Sequence, residues 1–69
     1  MTSLQDRLLD AHARDDRVAL VALYTEAAEG ANDLNAACFY LTHAYIFALE
    51  VGDPACAQLY QRLKAQGRV

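Results

Sequence analysis

Residues 36 to 49 read A-A-C-F-Y-L-T-H-A-Y-I-F-A-L, an apolar run broken only by Thr42 and His43. Helix punctuation bounds it on both sides, Asn32-Asp33 before it and Gly52-Asp53-Pro54 after it. A helix that is apolar on every side has to be covered on every side. The run is shorter than the ~20 residues a bilayer-spanning helix uses. The pattern therefore predicts the central helix of a small helical domain that buries a face against something else.

Around it the polar and apolar positions predict four helices, over about 3–13, 16–29, 33–51 and 54–66. Thr2 or Ser3 caps the first, with Gln5 and Asp6 three residues on, as in a capping box. Leu4, Leu8 and Ala11 form its apolar stripe with His12 beside it, and Asp10 and Arg14 stand at ion-pair spacing. Asp15-Asp16 breaks this helix and caps the next. In the second helix Leu20, Val21, Leu23, Tyr24, Ala27 and Ala28 share one side, while Thr25, Glu26 and Glu29 share the other. Gly30 is the expected left-handed residue after it, and Asn32 or Asp33 caps the third.

The third helix has two apolar faces. One holds Leu34, Ala37, Cys38, Leu41, Ala44, Tyr45, Ala48 and Leu49; the other holds Phe39, Tyr40, His43, Ile46 and Phe47. Gly52 closes it, and Asp53-Pro54 reads as a cap followed by Pro at the first helical position. The fourth helix is amphipathic, with Cys56, Leu59, Tyr60 and Leu63 opposite Gln58, Gln61, Arg62 and Ala65.

A faint internal repeat runs at an offset of 37, matching Leu4 to Leu41, Ala11 to Ala48, Asp16 to Asp53, Ala28 to Ala65 and Gly30 to Gly67. Each half becomes a helix, a short Asp-capped turn and a helix ending at Gly, the unit of an α-helical repeat. The stretch Leu41-Thr42-His43-Ala44-Tyr45, then Gly52-Asp53, then Ala57, resembles the first helix, turn and small opening residue of a tetratricopeptide repeat. Asp15-Asp16 followed by Tyr24 and Ala27 resembles the same unit in the first half. The chain departs from that pattern in the length of its third helix, in Thr42 at the small-residue position and in a first turn without Gly. The resemblance implies an interaction scaffold and carries no binding residues across.

Composition narrows the choice. Sixty-nine residues make one domain at most, and 55% of them are hydrophobic. A domain this small buries only ~60% of the surface its unfolded chain exposes and needs support such as oligomerisation. Fourteen alanines, one Pro and three Gly at helix ends argue all-α. Nine acids face five Arg and one Lys, a net charge of −3, and the cations are scattered. Without a basic stripe, nucleic acid is not an expected partner. Nor is a membrane. The opening Met-Thr-Ser-Leu-Gln-Asp-Arg lacks a basic-then-apolar leader, so a cytoplasmic location is expected. Alanine richness with Arg over Lys fits a high-GC bacterial genome.

Candidate chemistry is sparse. Cys38 and Cys56 lie ~16 Å apart along an antiparallel pair of helices, too far for a disulfide, and are expected as free buried thiols. His43 has Phe39, Tyr40, Ile46 and Phe47 at ligand spacing, none a usual metal ligand; an Asp6–His43 pair is conceivable if helices one and three run parallel. Ser3 is the only serine, Asp15 and Asp16 read as caps, and no Gly-rich loop cradles phosphate. The tyrosines read as core with their hydroxyls at the rim.

The expectation is an all-α domain of two antiparallel helical hairpins, tetratricopeptide-like or a small four-helix bundle. It is expected to be non-enzymatic, to need no cofactor or metal, and to act in protein–protein interaction or self-association. Helix one offers only Leu4, Leu8, Leu9 and Ala11, too little to cover both faces of helix three. A twofold homodimer through Phe39, Tyr40, His43, Ile46 and Phe47 is therefore expected, with an unknown protein as a further partner. The alternative is a small ligand- or metal-binding module using the same aromatic and histidine face.

Overall fold

The structure, a computed structural model, describes residues 3–68. It contains α1 (Leu4–Ala13), α2 (Arg17–Glu29), α3 (Leu34–Val51) and α4 (Ala55–Ala65), with no strand among the described residues. Thr2, the other candidate cap of the first helix, lies outside them. Three helices start on a side chain that accepts an otherwise unpaired N–H. Ser3 Oγ accepts from the Asp6 N–H at 3.1 Å, Asp16 Oδ1 from Ala19 at 3.1 Å and Asp33 Oδ1 from Ala36 at 2.8 Å. Asp53 Oδ1 accepts from Ala55 at 2.8 Å, while Pro54 stands just outside α4 and not at its first position.

The turns after α1 and α3 are built alike. Asp15 (φ 52°) and Gly52 (φ 67°) are both left-handed. The next residue, Asp16 or Asp53, donates its N–H to Ala11 or Ala48, at 2.9 Å in each case. The offset of 37 thus appears as backbone geometry as well as sequence. It does not extend to the helix ends: Gly67 is left-handed at φ 70°, but Gly30 closes α2 at φ −92°, a conformation any residue adopts.

Cross-helix pairs show that consecutive helices run antiparallel. Arg7 meets Glu26 at 3.0 Å, Arg17 meets Glu50 at 2.9 Å, and Arg68 meets Asn35 at 2.6 Å. Among the described residues only consecutive helices bring Cα atoms within 8 Å of one another. Side chains alone bridge α1 to α3, where His12 packs on Phe47, and α2 to α4, where Arg62 pairs with Glu29 at 2.9 Å. The helices form an open zigzag row of 33 × 29 × 13 Å, with α1 and α3 on one face and α2 and α4 on the other.

Alanines set the close approaches. Ala11, Ala44 and Ala48 are fully buried where neighbouring helices meet. One core cluster joins Val21 and Ala28 to Cys38, Leu41, Ala44 and Ala48 and on to Leu59 and Leu63; a smaller one joins Ala11 to Leu20 and Leu23. Tyr24 and Phe47 pack against both clusters. At ~25 cal/mol per Å² of apolar surface removed from water, these two clusters supply the main stabilisation.

α3 departs from its expected division of faces. Leu34 and Leu49, expected on the core face, are exposed, whereas Tyr40 and Phe47, expected on the second face, are half-buried. α2 lies far enough round α3 to take Tyr40 and Phe47, which turns the free side toward Phe39, Ile46 and Leu49. α3 is also longer than the apolar run within it. Its eighteen residues, at a mean hydropathy of 1.2, make it long and apolar enough to cross a membrane. Here α2 and α4 pack on its flanks and bury Cys38, Leu41, Ala44 and Ala48, while Phe39, Ile46 and Leu49 stay exposed.

Candidate functional site

Tyr24, in the middle of α2, organises the aromatic residues of the first three helices. Its hydroxyl and His12 Nε2 share a hydrogen bond of 2.9 Å. The His43 ring stacks on it at 5.1 Å between centroids, Phe47 stacks at 5.9 Å and Tyr40 leans in at 6.3 Å. His43 Nδ1 donates to the Phe39 carbonyl oxygen at 2.9 Å. A carbonyl only accepts, so this bond places a proton on Nδ1 and leaves Nε2 an acceptor in the neutral ring. Phe39 then covers the outer side of His43 at 4.5 Å.

Between α1 and α3, with α2 as its floor, runs an open groove of about 420 Å³. Leu4, Leu8 and Leu9 form one wall and Phe39, Tyr40 and His43 the other. It continues past Leu4, Ala27 and Tyr40 into a second hollow of about 390 Å³, which ends at Asp33 and Ala36. Among the described residues no charged side chain lines the first hollow, and its polar content comes from Gln5, the two imidazoles and the tyrosine hydroxyls.

The outer side of α3 forms the rim of this groove. Asn35, Phe39, Thr42, Ile46 and Leu49 fall opposite Ala44 at alternating steps of four and three, the spacing of a heptad seam. Phe39 is 59% exposed, Ile46 48% and Leu49 55%, too much open apolar surface to count as the scattered singles of an ordinary exterior. Leu9 of α1, also exposed, extends the patch across the groove. The two ends of the seam differ in charge. At the amino end Arg68 Nη2 rests on Asn35 Oδ1, and at the carboxyl end stand Glu50 and Asp53.

The five residues expected at an interface therefore separate. Phe39 and Ile46 lie on the free rim, Tyr40 and Phe47 serve the packing of α2 on α3, and His43 lies between, stacked on Tyr24 but still partly open. No hydrogen bond or ion pair joins Asp6 to His43 among the described residues. The Asp6 N–H goes to Ser3, and His43 bonds within its own helix. His12 and Tyr24, absent from the expected site, are central to it. The signal for Tyr24 is its place mid-stripe on α2; nothing local marks His12, whose partner comes from another helix.

Other chemistry is thinly represented. Among the described residues no group of three or more His, Cys, Asp or Glu gathers as a metal site. Cys38 is buried and Cys56 half-buried, both as free thiols. Asp10 and Arg14 form the expected pair at 2.9 Å, and the ion pairs among the described residues lie on the surface, where each contributes ~0–1 kcal/mol. No protein-family model matches the chain, and no curated protein or solved structure matches it either.

Proposed function

We propose that this chain is a non-enzymatic binding module, acting in the cytoplasm, whose working surface is the exposed seam of α3 with the groove beside it. The observation that carries the reading is the exposure of Phe39, Ile46 and Leu49 at heptad spacing on the side of α3 away from its packed face. Such a stripe is what a helix presents to another helix. Support comes from the open zigzag row, in which side-by-side helices leave a continuous outer surface. The tetratricopeptide resemblance agrees, since repeats of that kind serve as scaffolds. The test is site-specific photocrosslinking in cells. A photoreactive residue at Ile46 is expected to capture protein, whereas one at Gln58 on α4 is expected to capture far less. Equal capture at both positions removes the reading.

A second reading rests on the groove. Its volume of about 420 Å³ lies within the range of small-molecule sites, and Tyr24, His12 and His43 converge there with both apolar and polar atoms. On this reading the chain holds a small aromatic or amphipathic molecule against Tyr24. Native mass spectrometry of the purified protein is the check. An adduct of constant mass that disappears in His12→Ala supports a ligand, and a bare chain mass speaks against one.

A further inference from the structure

We infer that the occupant of the α3 seam is the same seam on a second copy of this chain, the two helices crossing antiparallel about a twofold axis near the level of Ala44. The inference rests on the binding-surface reading above and adds the identity and orientation of the partner. Charge is what selects them. Asn35 and Glu50 are about 22 Å apart along α3 at 1.5 Å per residue. Arg68 lies at the first end, its guanidinium on the neutral Asn35 amide oxygen at 2.6 Å, with Lys64 and Arg62 on the neighbouring helix. Arg62 is paired with Glu29 at 2.9 Å and Asp33 caps α3 there, so three cations stand against two carboxylates and the end is basic by one charge. Glu50 and Asp53 lie at the second, with Asp15 and Asp16 beyond them. Arg17 is shared there between Glu50 at 2.9 Å and Asp15 at 3.6 Å and Arg14 meets Asp16 at 3.5 Å, so four carboxylates stand against two cations and the end is acidic. A parallel pair would set the acidic ends against each other. An antiparallel pair sets the basic end of each copy against the acidic end of the other, twice over by symmetry.

The seam is self-complementary in that direction. In the register that places Phe39 opposite the partner's Leu49, Thr42 lies opposite the partner's Ile46. Asn35, carrying Arg68, then reaches the level of the partner's Asp53. Each large apolar side chain meets a large or β-branched one, the alternation of an antiparallel heptad pair. Arg68 moves from an amide to a carboxylate, a stronger acceptor for a guanidinium. The chain's net charge of −3 opposes an arbitrary pairing of two copies, so opposed charges confined to the ends of one stripe favour this one.

The test is sedimentation equilibrium on the full chain, with circular dichroism to monitor folding. The wild type is expected to be a dimer at micromolar concentration. Phe39→Glu with Ile46→Lys, both on exposed positions, is expected to give a monomer of unchanged helicity. Arg68→Glu alone is expected to weaken the dimer about tenfold at low salt, and the difference from the wild type is expected to shrink at high salt. A wild-type monomer whose position 46 still crosslinks to another protein overturns the second copy and leaves the binding-surface reading standing. A monomer that crosslinks to nothing overturns both. A dimer that the seam pair leaves intact, or that Arg68→Glu strengthens, overturns the antiparallel α3 contact while self-association survives.

Discussion

Asp15 and Gly52 hold the same left-handed position in the two hairpin turns, at φ 52° and 67°, and each is followed by an aspartate whose N–H closes on a buried alanine at 2.9 Å. Gly takes this conformation without a steric cost, whereas a residue with a Cβ gives up ~1–2 kcal/mol, somewhat less for Asp. The first turn is thus the strained copy of the second. Asp15→Gly is expected to raise stability by ~0.5–1 kcal/mol, even though it removes the long contact to Arg17. Gly52→Ala is expected to lower it by about 1 kcal/mol or more, although nothing lies within 4 Å to obstruct the added methyl. Urea unfolding of the two variants measures both. Destabilisation by Asp15→Gly would show that the aspartate side chain stabilises the turn more than its backbone strains it.

The same pair shows what the sequence made legible. Acidic residues and glycines mark the three breaks because a cap or a left-handed turn needs those side chains locally, and no distant contact is required to recognise them. Gly30 looks identical to Gly52 in sequence, yet its φ of −92° follows from how α2 runs into Ala31 and on to the Asp33 cap. The division of α3 into covered and free sides is less legible still. A helix apolar all round has no periodicity to orient it, so only the approach of α2 decides that Tyr40 and Phe47 are covered and Leu49 is not. His12 was invisible as a site residue for the same reason: its partner, Tyr24, is twelve residues away on another helix.

Tyr24→Phe tests that contact. It removes the hydroxyl bonded to His12 and keeps the ring that His43 and Phe47 stack on. His12 is exposed and can turn to water, so the expected loss is at the lower end of ~0.5–1.5 kcal/mol. Tyr24→Ala also removes the ring that joins the two core clusters, and about 3 kcal/mol is expected to go with it. Equal losses in the two variants would mean that the hydroxyl, not the ring, holds α1 in place.

The thiols report on the fold at a different position. Cys38 is buried between α3 and α4, and Cys56 is only half covered. A thiol reagent reacts at the rate at which the group is exposed, so a buried cysteine waits for local opening. Two reactive thiols per chain are expected in denaturant. In buffer Cys56 is expected to react first and Cys38 at a rate that follows unfolding. Mass spectrometry of partly labelled protein identifies which residue carries the label, and faster labelling of Cys38 would contradict the packing of α4 on α3.

Neighbouring residues of α3 offer the sharpest contrast. Phe47 packs on Tyr24 and on His12, at 5.9 and 6.0 Å between ring centroids, and touches both core clusters. Ile46, one residue earlier, is 48% exposed on the outer seam. In an isolated chain, truncating a half-buried aromatic removes both transfer free energy and stacking, so Phe47→Ala is expected to cost ~2–3 kcal/mol. Ile46→Ala leaves no cavity and even gains a little helix propensity, so its effect on the monomer is expected to stay within ~0.5 kcal/mol. A dimer changes the second figure and not the first, because association adds its free energy to the folded state and makes unfolding depend on protein concentration. Urea melts of both variants at two concentrations a hundredfold apart separate the cases. If Ile46→Ala lowers stability at high concentration only, the residue works between chains. If it costs as much as Phe47→Ala at every concentration, Ile46 belongs to the core of the single chain and the free face of α3 is not where this structure places it.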